Sequence, residues 1–195
     1  MDQDDPATLE RGPSGGLLRD LGSHLVDQAL WLFGPAAFVY ATVDWIQEDA
    51  LRTDAAFMIA ITHRSGVRSY LSSSKVSGLV SRELRLLGSR GNYVSDQTDV
   101  QAQAVFAGRK PIDDLEEWGR ETEARWGTLT IAGSSGTKIA SEQSAYQDFY
   151  TQFAAAARGD ADQPVPAIDA IATLKVLDAA RTSASETRVV LISST

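Results

Sequence analysis

The chain has 195 residues, of which 43% are hydrophobic and 23% charged, as is usual for a folded globular protein with one main domain. It contains no cysteine, which excludes disulfides, thiol catalysis and thiolate metal sites and suits a cytoplasmic protein. A net charge of −8 argues against nucleic acid or an anionic membrane surface as a partner, and no apolar run is long enough to predict a membrane span.

The first segment, residues 1–13, is polar and interrupted by proline and glycine, with no helical or strand period. It begins with Met-Asp-Gln-Asp-Asp-Pro, which lacks the basic and apolar regions of a signal peptide. We interpret it as a lead-in segment, or a loop over a site. One domain, residues 14–195, is expected to follow.

A helix is predicted from residue 17 to Gly34, and one line along it is polar. At ~100° per residue, Asp20, His24, Asp27 and Trp31 fall within roughly 60° of one another. Apolar residues cover the other sides, so we expect the helix to be buried between two layers. The stripe predicted to face the core consists of Leu17, Leu21, Leu25 and Leu32.

This polar line suggests acid–base chemistry. A histidine exchanges a proton near neutral pH, and a neighbouring carboxylate can orient it and stabilise its charged form. Gly15 and Gly16 would let a ligand approach the backbone closely where the helix begins. The alternative is that His24 and Asp27 form a satisfied polar pair on a packed helix, because pairs at this spacing are common. The spacing leaves both interpretations open.

The rest of the chain predicts an α+β fold. Hairpin connections join most of the strands, so we expect an open, largely antiparallel sheet with helices packed on one face. Apolar residues on both sides of some strands predict a homodimer through the other face. His63 lies beside the turn at Gly66, and we predict a surface loop histidine without a role. The predicted strands are 37–43, 55–61, 67–73, 83–87, 92–94, 129–132 and 187–192; the predicted helices are 100–106, 144–158 and 167–184, the last burying Ile171, Leu174, Leu177 and Ala180.

A charged loop with two tryptophans separates these strands. Trp118 and Trp126 follow a basic pair and an acidic group, and such rings can line a sugar or polyol pocket by stacking. The alternative is a solvated loop that its tryptophans anchor to the fold.

The segment from Gly15 to Gly34 also resembles a known signature. Gly-Gly-x-Leu-x-Asp-x-Gly-x-His-x-x-Asp, followed by Leu-Trp-Leu-Phe-Gly, is similar to the opening of the C-terminal domain of the Gfo/Idh/MocA family of NAD(P)-dependent oxidoreductases. The later patterns Gly-Arg-Lys-Pro, Trp-Gly-x-Glu and Arg-Trp-Gly-x-Leu extend the resemblance, as does the closing segment. It covers residues 14–192.

The resemblance implies a set of site residues. Asp20 and His24 match the family's active-site pair, with His24 as the acid/base on the substrate hydroxyl and Asp20 orienting the substrate or His24. Asp27 would support His24 or cap a neighbouring element. The candidate substrate contacts are Asp27, Gly15, Gly16, Trp118 and Trp126; no residue of the chain is expected to bind cofactor or metal.

The family's cofactor, NAD or NADP, is held mainly by an N-terminal Rossmann domain. No Gly-x-Gly-x-x-Gly follows a strand in this chain, and Lys110-Pro111 does not match the family's catalytic Glu-Lys-Pro motif. We therefore expect the substrate-binding and oligomerisation domain of a dehydrogenase acting on a sugar, polyol or related hydroxy compound, inactive as a fragment. The alternatives are a non-catalytic dimerisation or sugar-binding module, and an isomerase or dehydratase that uses NAD transiently.

Overall fold

The structure, a computed structural model, describes residues 15–48, 51–78, 82–96 and 99–193. The chain divides into two units, one made of Met1–Gly78 with Val165–Thr195 and the other of Leu79–Pro164. The predicted lead-in segment lies outside the described residues. Each unit is built around its own antiparallel sheet.

The described residues form four helices and eight strands. The helices are α1 (Leu17–Phe33), α2 (Val100–Phe106), α3 (Tyr146–Arg158) and α4 (Ala167–Glu186). The strands are β1 (Ala36–Glu48), β2 (Leu51–His63), β3 (Arg68–Ser74), β4 (Leu84–Gly88), β5 (Gly91–Ser95), β6 (Gly127–Ile131), β7 (Thr137–Ile139) and β8 (Val190–Leu191). No described helix is both long enough and apolar enough to cross a membrane.

The first unit carries a four-stranded sheet with the order β3-β2-β1-β8. Val39 pairs with Ile61, and Ile59 pairs with Leu71. Because residues alternate between the faces of a sheet, these side chains share the face toward the core. Helix α1 packs against β2 and β3, and α4 packs against β1 and β8. The core of this unit therefore lies between one face of the sheet and the two helices.

The second unit carries the sheet β4-β5-β6-β7, again antiparallel throughout. Residues 99–126, between β5 and β6, contain α2 and two short 3-10 turns, and α3 follows β7. This unit has few buried apolar side chains, Ala104 and Trp118 among them.

The predicted α+β class and the antiparallel strands are confirmed. The structure differs in that the strands form two sheets instead of one, and β7 was not predicted. A strand of three exposed residues carries no alternation of apolar and polar side chains, so its sequence gives no signal. Use of the open sheet face for dimerisation stays a prediction.

The predicted core stripe of α1 was half right, since Leu17 is buried and Leu25 packs against the core. The buried positions include Leu18, Gly22 and Val26, whereas Leu21 and Leu32 are exposed. A Cβ on Gly22 would lie 3.4 Å from Phe57 and 3.5 Å from Leu177, so this face of the helix lies against both β2 and α4. Close packing at a glycine decided the rotation of the helix, and a count of leucines does not reveal it.

The predicted stripe of α4 was also half right. Ile171 and Leu174 are exposed, while Leu177 and Ala180 are buried together with the polar Ser183. The Ser183 hydroxyl accepts the Ala41 N–H at 2.9 Å and donates to the Arg188 carbonyl at 2.6 Å. Small side chains on this face let α4 lie close against β1.

The prediction that His63 is a surface loop histidine was wrong, because this residue is only 1% exposed. Strand β2 runs on to His63, whose side chain therefore shares the core-facing side with Ile61. Its Nδ1 lies 2.7 Å from the Gly34 carbonyl oxygen, which can only accept, so Nδ1 carries the proton and Nε2 accepts from the Ser69 hydroxyl at 2.9 Å. The ring thus joins β2, β3 and the end of α1.

Candidate active site

Helix α1 carries the predicted site, and a residue of another element caps its N-terminus. Gly16 has no side chain to cap the helix. Asp54 of β2, which is 3% exposed, reaches the same place, and its Oδ2 accepts the Leu18 N–H at 2.6 Å. A carboxylate at this end of a helix satisfies a free N–H and complements the helix dipole. Asp54 therefore fixes where α1 begins.

The two glycines before α1 are buried. Gly16 has a φ of +96°, and a Cβ there would lie 2.0 Å from Asp54 Oδ1. Arg181 of α4 contacts the Gly15 carbonyl at 3.5 Å. The absence of a side chain at Gly16 thus makes room for the Asp54 carboxylate, and a substrate contact at either glycine stays a prediction.

The predicted polar line of α1 faces outward in this chain. Asp20, His24, Asp27 and Trp31 are all exposed. The His24 ring forms no hydrogen bond or ion pair with any residue in the described part of the chain. Its two nitrogens are therefore open to a ligand or to water, unlike those of His63.

Asp27 has a partner on another helix. Its Oδ1 lies 3.3 Å from the hydroxyl of the buried Thr173, which donates the hydrogen bond from α4. Asp27 therefore links α1 to α4 by one bond between side chains, and its predicted roles of supporting His24 or capping a neighbouring element stay predictions. No hydrogen bond joins Asp27 to His24, so the pair expected under the alternative interpretation is not formed between these described residues.

Asp20 and His24 are the two members of the line that stay available for chemistry. Asp20 lies in the first turn of α1, where its negative charge is favourable to the helix dipole. One helical turn separates it from His24, a rise of ~6 Å, so both side chains can reach one small ligand. The arrangement offers an imidazole that can exchange a proton and a carboxylate that can accept hydrogen bonds from hydroxyl groups.

The two predicted tryptophans belong to the second unit. Trp118 is 6% exposed, and its Nε1 donates to the Gln101 Oε1 at 2.8 Å. Trp126 is half-buried, and its Nε1 donates to the Glu121 carbonyl at 3.2 Å. Trp118 therefore offers little ring surface for a sugar to stack on, and more of the Trp126 ring is accessible.

Asp54 is the residue of this region that the sequence did not point out. The sequence feature that could have identified Asp54 is its place directly before the apolar run Ala-Ala-Phe of a strand. A carboxylate buried there must have a hydrogen-bond partner. The identity of that partner, a backbone N–H 36 positions earlier, depends on the packing of α1 against β2. The described residues contain no group of three or more His, Asp or Glu that could hold a metal ion.

Comparison with known proteins places these features in a family. Residues 6–192 match the family model described as "Oxidoreductase family, C-terminal alpha/beta domain". The chain is 30% identical over 186 residues to the scyllo-inositol 2-dehydrogenase (NADP(+)) IolW of Bacillus subtilis, covering 94% of this chain and 51% of that protein. It is 29% identical over 170 residues to the uncharacterized oxidoreductase YdgJ of Escherichia coli, covering 86% of this chain and 47% of that protein.

Solved structures give the same result. The structure of the oxidoreductase yvaA from Bacillus subtilis superposes with a TM-score of 0.81 and 29% sequence identity, covering 93% of this chain and 52% of that one. The chain thus spans about half the length of the relatives that it matches.

Proposed function

Because the chain belongs to the Gfo/Idh/MocA oxidoreductase family, as its C-terminal alpha/beta domain, we propose that it is the substrate-binding domain of an NAD(P)-dependent dehydrogenase. The proposed substrate is a sugar, a polyol or a related hydroxy compound. The similarity to an inositol dehydrogenase that uses NADP(+) supports this class of substrate.

The exposed ring of His24 is the observation that carries this proposal. A histidine that only stabilised the fold would be expected to have its ring nitrogens bonded, as His63 does. His24 instead lies on the surface of α1, one turn from Asp20, with no hydrogen bond to the described chain. That arrangement suits a group that binds a substrate and exchanges a proton with it.

The proposed reaction divides between the two halves of the enzyme. Oxidation of a hydroxyl carbon removes a hydride from carbon and a proton from oxygen; a bound nicotinamide supplies the hydride acceptor. His24 accepts the hydroxyl proton at a ring nitrogen and returns it in the reverse direction. Asp20 accepts a hydrogen bond that orients the substrate or the His24 ring, and Asp27 keeps α1 fixed through Thr173.

The cofactor is proposed to bind mainly to a nucleotide-binding domain outside residues 1–195. We assign no residue here to NAD or NADP, since the sequence has no phosphate-binding glycine loop after a strand. The open imidazole fits a site that another domain completes. Gly15, Gly16, Trp118 and Trp126 are further candidate substrate contacts, of which Trp126 has the more accessible ring.

The test is the activity of His24 variants together with the nucleotide-binding domain, whether that domain is in the same polypeptide or a separate partner. We expect His24→Ala and His24→Gln to lower kcat by about 10²–10⁴-fold, as for the loss of a general acid/base. Ser23→Ala is the matched control, because Ser23 lies in the same turn and, among the described residues, hydrogen-bonds only the Asp20 carbonyl.

Two outcomes would contradict the proposal. A loss of less than about tenfold in kcat would remove His24 from the acid/base role. A wild-type protein that binds polyols but does not oxidise any of a panel of inositols and aldoses would favour the non-catalytic binding module.

We also propose that the intact protein is a homo-oligomer through the open face of the first sheet. Alternation along the paired strands puts Phe38, Tyr70 and Leu191 on the face away from α1 and α4. Each of these large side chains is exposed in the isolated chain. Large apolar side chains exposed on one face of a sheet are typical of a protein–protein contact.

A further inference from the structure

The second unit contains a small cleft of about 90 Å³ between α2 and the segment 109–120. This is room for a group several times larger than one water molecule, whose share of liquid volume is ~30 Å³. Three basic residues, Arg109, Lys110 and Arg120, line the cleft together with Trp118.

The three acidic residues that line the same cleft are already engaged. Asp113 Oδ2 accepts the Lys110 backbone N–H at 2.7 Å, and Asp114 Oδ1 accepts the Glu117 N–H at 3.2 Å. Glu117 faces Arg120, with 3.8 Å between its Oε1 and the arginine Nε. These carboxylates therefore serve local turns and one ion pair.

Arg120 has an acidic partner, whereas Arg109 and Lys110 do not. Arg120 donates to the Glu116 carbonyl at 2.8 Å in addition to facing Glu117. Neither Arg109 nor Lys110 forms an ion pair with any carboxylate of the described chain. Three carboxylates also line the cleft, but Arg109 and Lys110 are adjacent cations without an ion pair of their own, so both can donate to an anion.

Hydrogen bonds hold the wall of the cleft in place. The Trp118 indole donates to Gln101, and the Trp118 carbonyl accepts from Gln143 Nε2 at 2.8 Å. Gly119 has a φ of +75°, and a Cβ there would lie 1.9 Å from the Ser144 carbonyl oxygen, so the segment sits tightly against its neighbour. The cleft is thus preformed, which lowers the entropic cost of binding.

One buried donor, on the side chain that binds the Trp118 indole, also lacks an acceptor. Gln101 Oε1 accepts from both Trp118 Nε1 and the Tyr146 N–H, which fixes the orientation of its amide. The Nε2 group is then buried with no hydrogen-bond partner in the described chain. A buried donor of this kind usually indicates an acceptor that the protein itself does not supply.

We propose that this cleft binds a small oxyanion, a phosphate or carboxylate group, through Arg109 and Lys110. The arginine fork suits two oxygens of such a group, and the lysine supplies a second point charge. This site lies within the second unit and does not depend on His24 or on the dehydrogenase proposal.

The test is a titration of the chain with inorganic phosphate and, separately, with acetate, each against chloride at matched ionic strength. The indole N–H signal of Trp118 in a ¹H–¹⁵N spectrum reports on the cleft directly. We expect a saturable shift with phosphate. The double variant Arg109→Gln/Lys110→Gln should bind phosphate at least about tenfold more weakly, the ratio expected for one lost charge-assisted hydrogen bond. Acetate that binds as well as phosphate would identify a carboxylate-type site, and no effect of acetate would identify a phosphate site.

Arg158→Gln is the matched control, since Arg158 is an exposed arginine of the same unit that pairs with Asp160 and does not line the cleft. The rest of the spectrum shows whether each variant remains folded. A shift that rises linearly with phosphate, or saturable binding that the double variant retains in full, would overturn the proposal.

Discussion

The two histidines of this chain show how surroundings give one side chain different roles. His63 is buried with both ring nitrogens bonded, so it joins three elements and has no nitrogen free for a ligand. His24 lies on the surface of α1 with neither nitrogen bonded to the described chain. Only His24 can exchange a proton with a substrate, which is why the proposed chemistry rests on it.

The buried hydrogen bond of another single residue, Asp54, predicts an effect on stability. Asp54→Ala leaves the Leu18 N–H at the start of α1 without its acceptor, and we expect a loss of about 1–3 kcal/mol in the free energy of unfolding. Urea denaturation measures this loss. Amide exchange of Leu18 should also become faster, because the first turn of α1 opens more readily.

Two further variants sharpen that experiment. Asp54→Asn keeps an acceptor oxygen, so its free energy of unfolding should fall less than that of Asp54→Ala. Asp44→Ala removes an exposed carboxylate from the neighbouring strand β1 and should change stability by no more than about 0.5 kcal/mol. An Asp54→Ala protein as stable as the Asp44→Ala control would show that the buried carboxylate does not hold the helix.

At the scale of elements, a hydrogen bond between side chains joins α2 to α3. Asp99 caps α2 through Oδ1, which accepts the Ala102 N–H at 2.8 Å, while its Oδ2 accepts the Tyr146 hydroxyl at 2.6 Å. This hydrogen bond is the main reason that the pKa of Tyr146 is raised from 10.0 to about 12, with burial adding to it. Both helices thus depend on one carboxylate.

The raised pKa predicts a pH effect with a definite sign. Because the folded-state pKa is the higher one, the Tyr146 phenol stabilises the fold fully below pH about 10, and this contribution is lost as the pH rises toward about 12. The effect should be small, since Tyr146 is more than half exposed. Ultraviolet absorbance of tyrosinate should therefore show one late-titrating component among the five tyrosines.

Variants identify the source of that component. Tyr146→Phe should remove it, and Asp99→Asn should move it toward the ordinary tyrosine pKa, because the charged acceptor is gone. Tyr150→Phe, one turn along α3, removes an exposed phenol and should leave the late component in place. If the component near pH 12 persists in Tyr146→Phe, the hydrogen bond to Asp99 does not cause it.

At the scale of the whole molecule, the open face of the first sheet predicts self-association. Tyr70 and Leu191 are 72% and 75% exposed on that face. Tyr70→Lys with Leu191→Lys would bury two charges in the proposed interface, so we expect the double variant to be monomeric where the wild type is not. Sedimentation velocity at micromolar concentration measures the difference.

Leu87→Lys is the control for this experiment. Leu87 is 77% exposed but belongs to β4, which is not a strand of the sheet that carries the proposed interface. It should leave the oligomeric state unchanged. A wild-type chain that is monomeric at these concentrations, or a double variant that associates as the wild type does, would contradict the proposal.

The sequence by itself determined the helices, most strands and the line of Asp20, His24 and Asp27, because periodicity and the family signature are local properties of the chain. Only the tertiary structure decided which side of α1 is buried, since Gly22 packs between Phe57 and Leu177 from distant parts of the chain. The same holds for the burial of His63 and for the cap that Asp54 provides. These features depend on which backbone and side-chain groups meet across the fold, and residue spacing along the sequence does not encode such contacts.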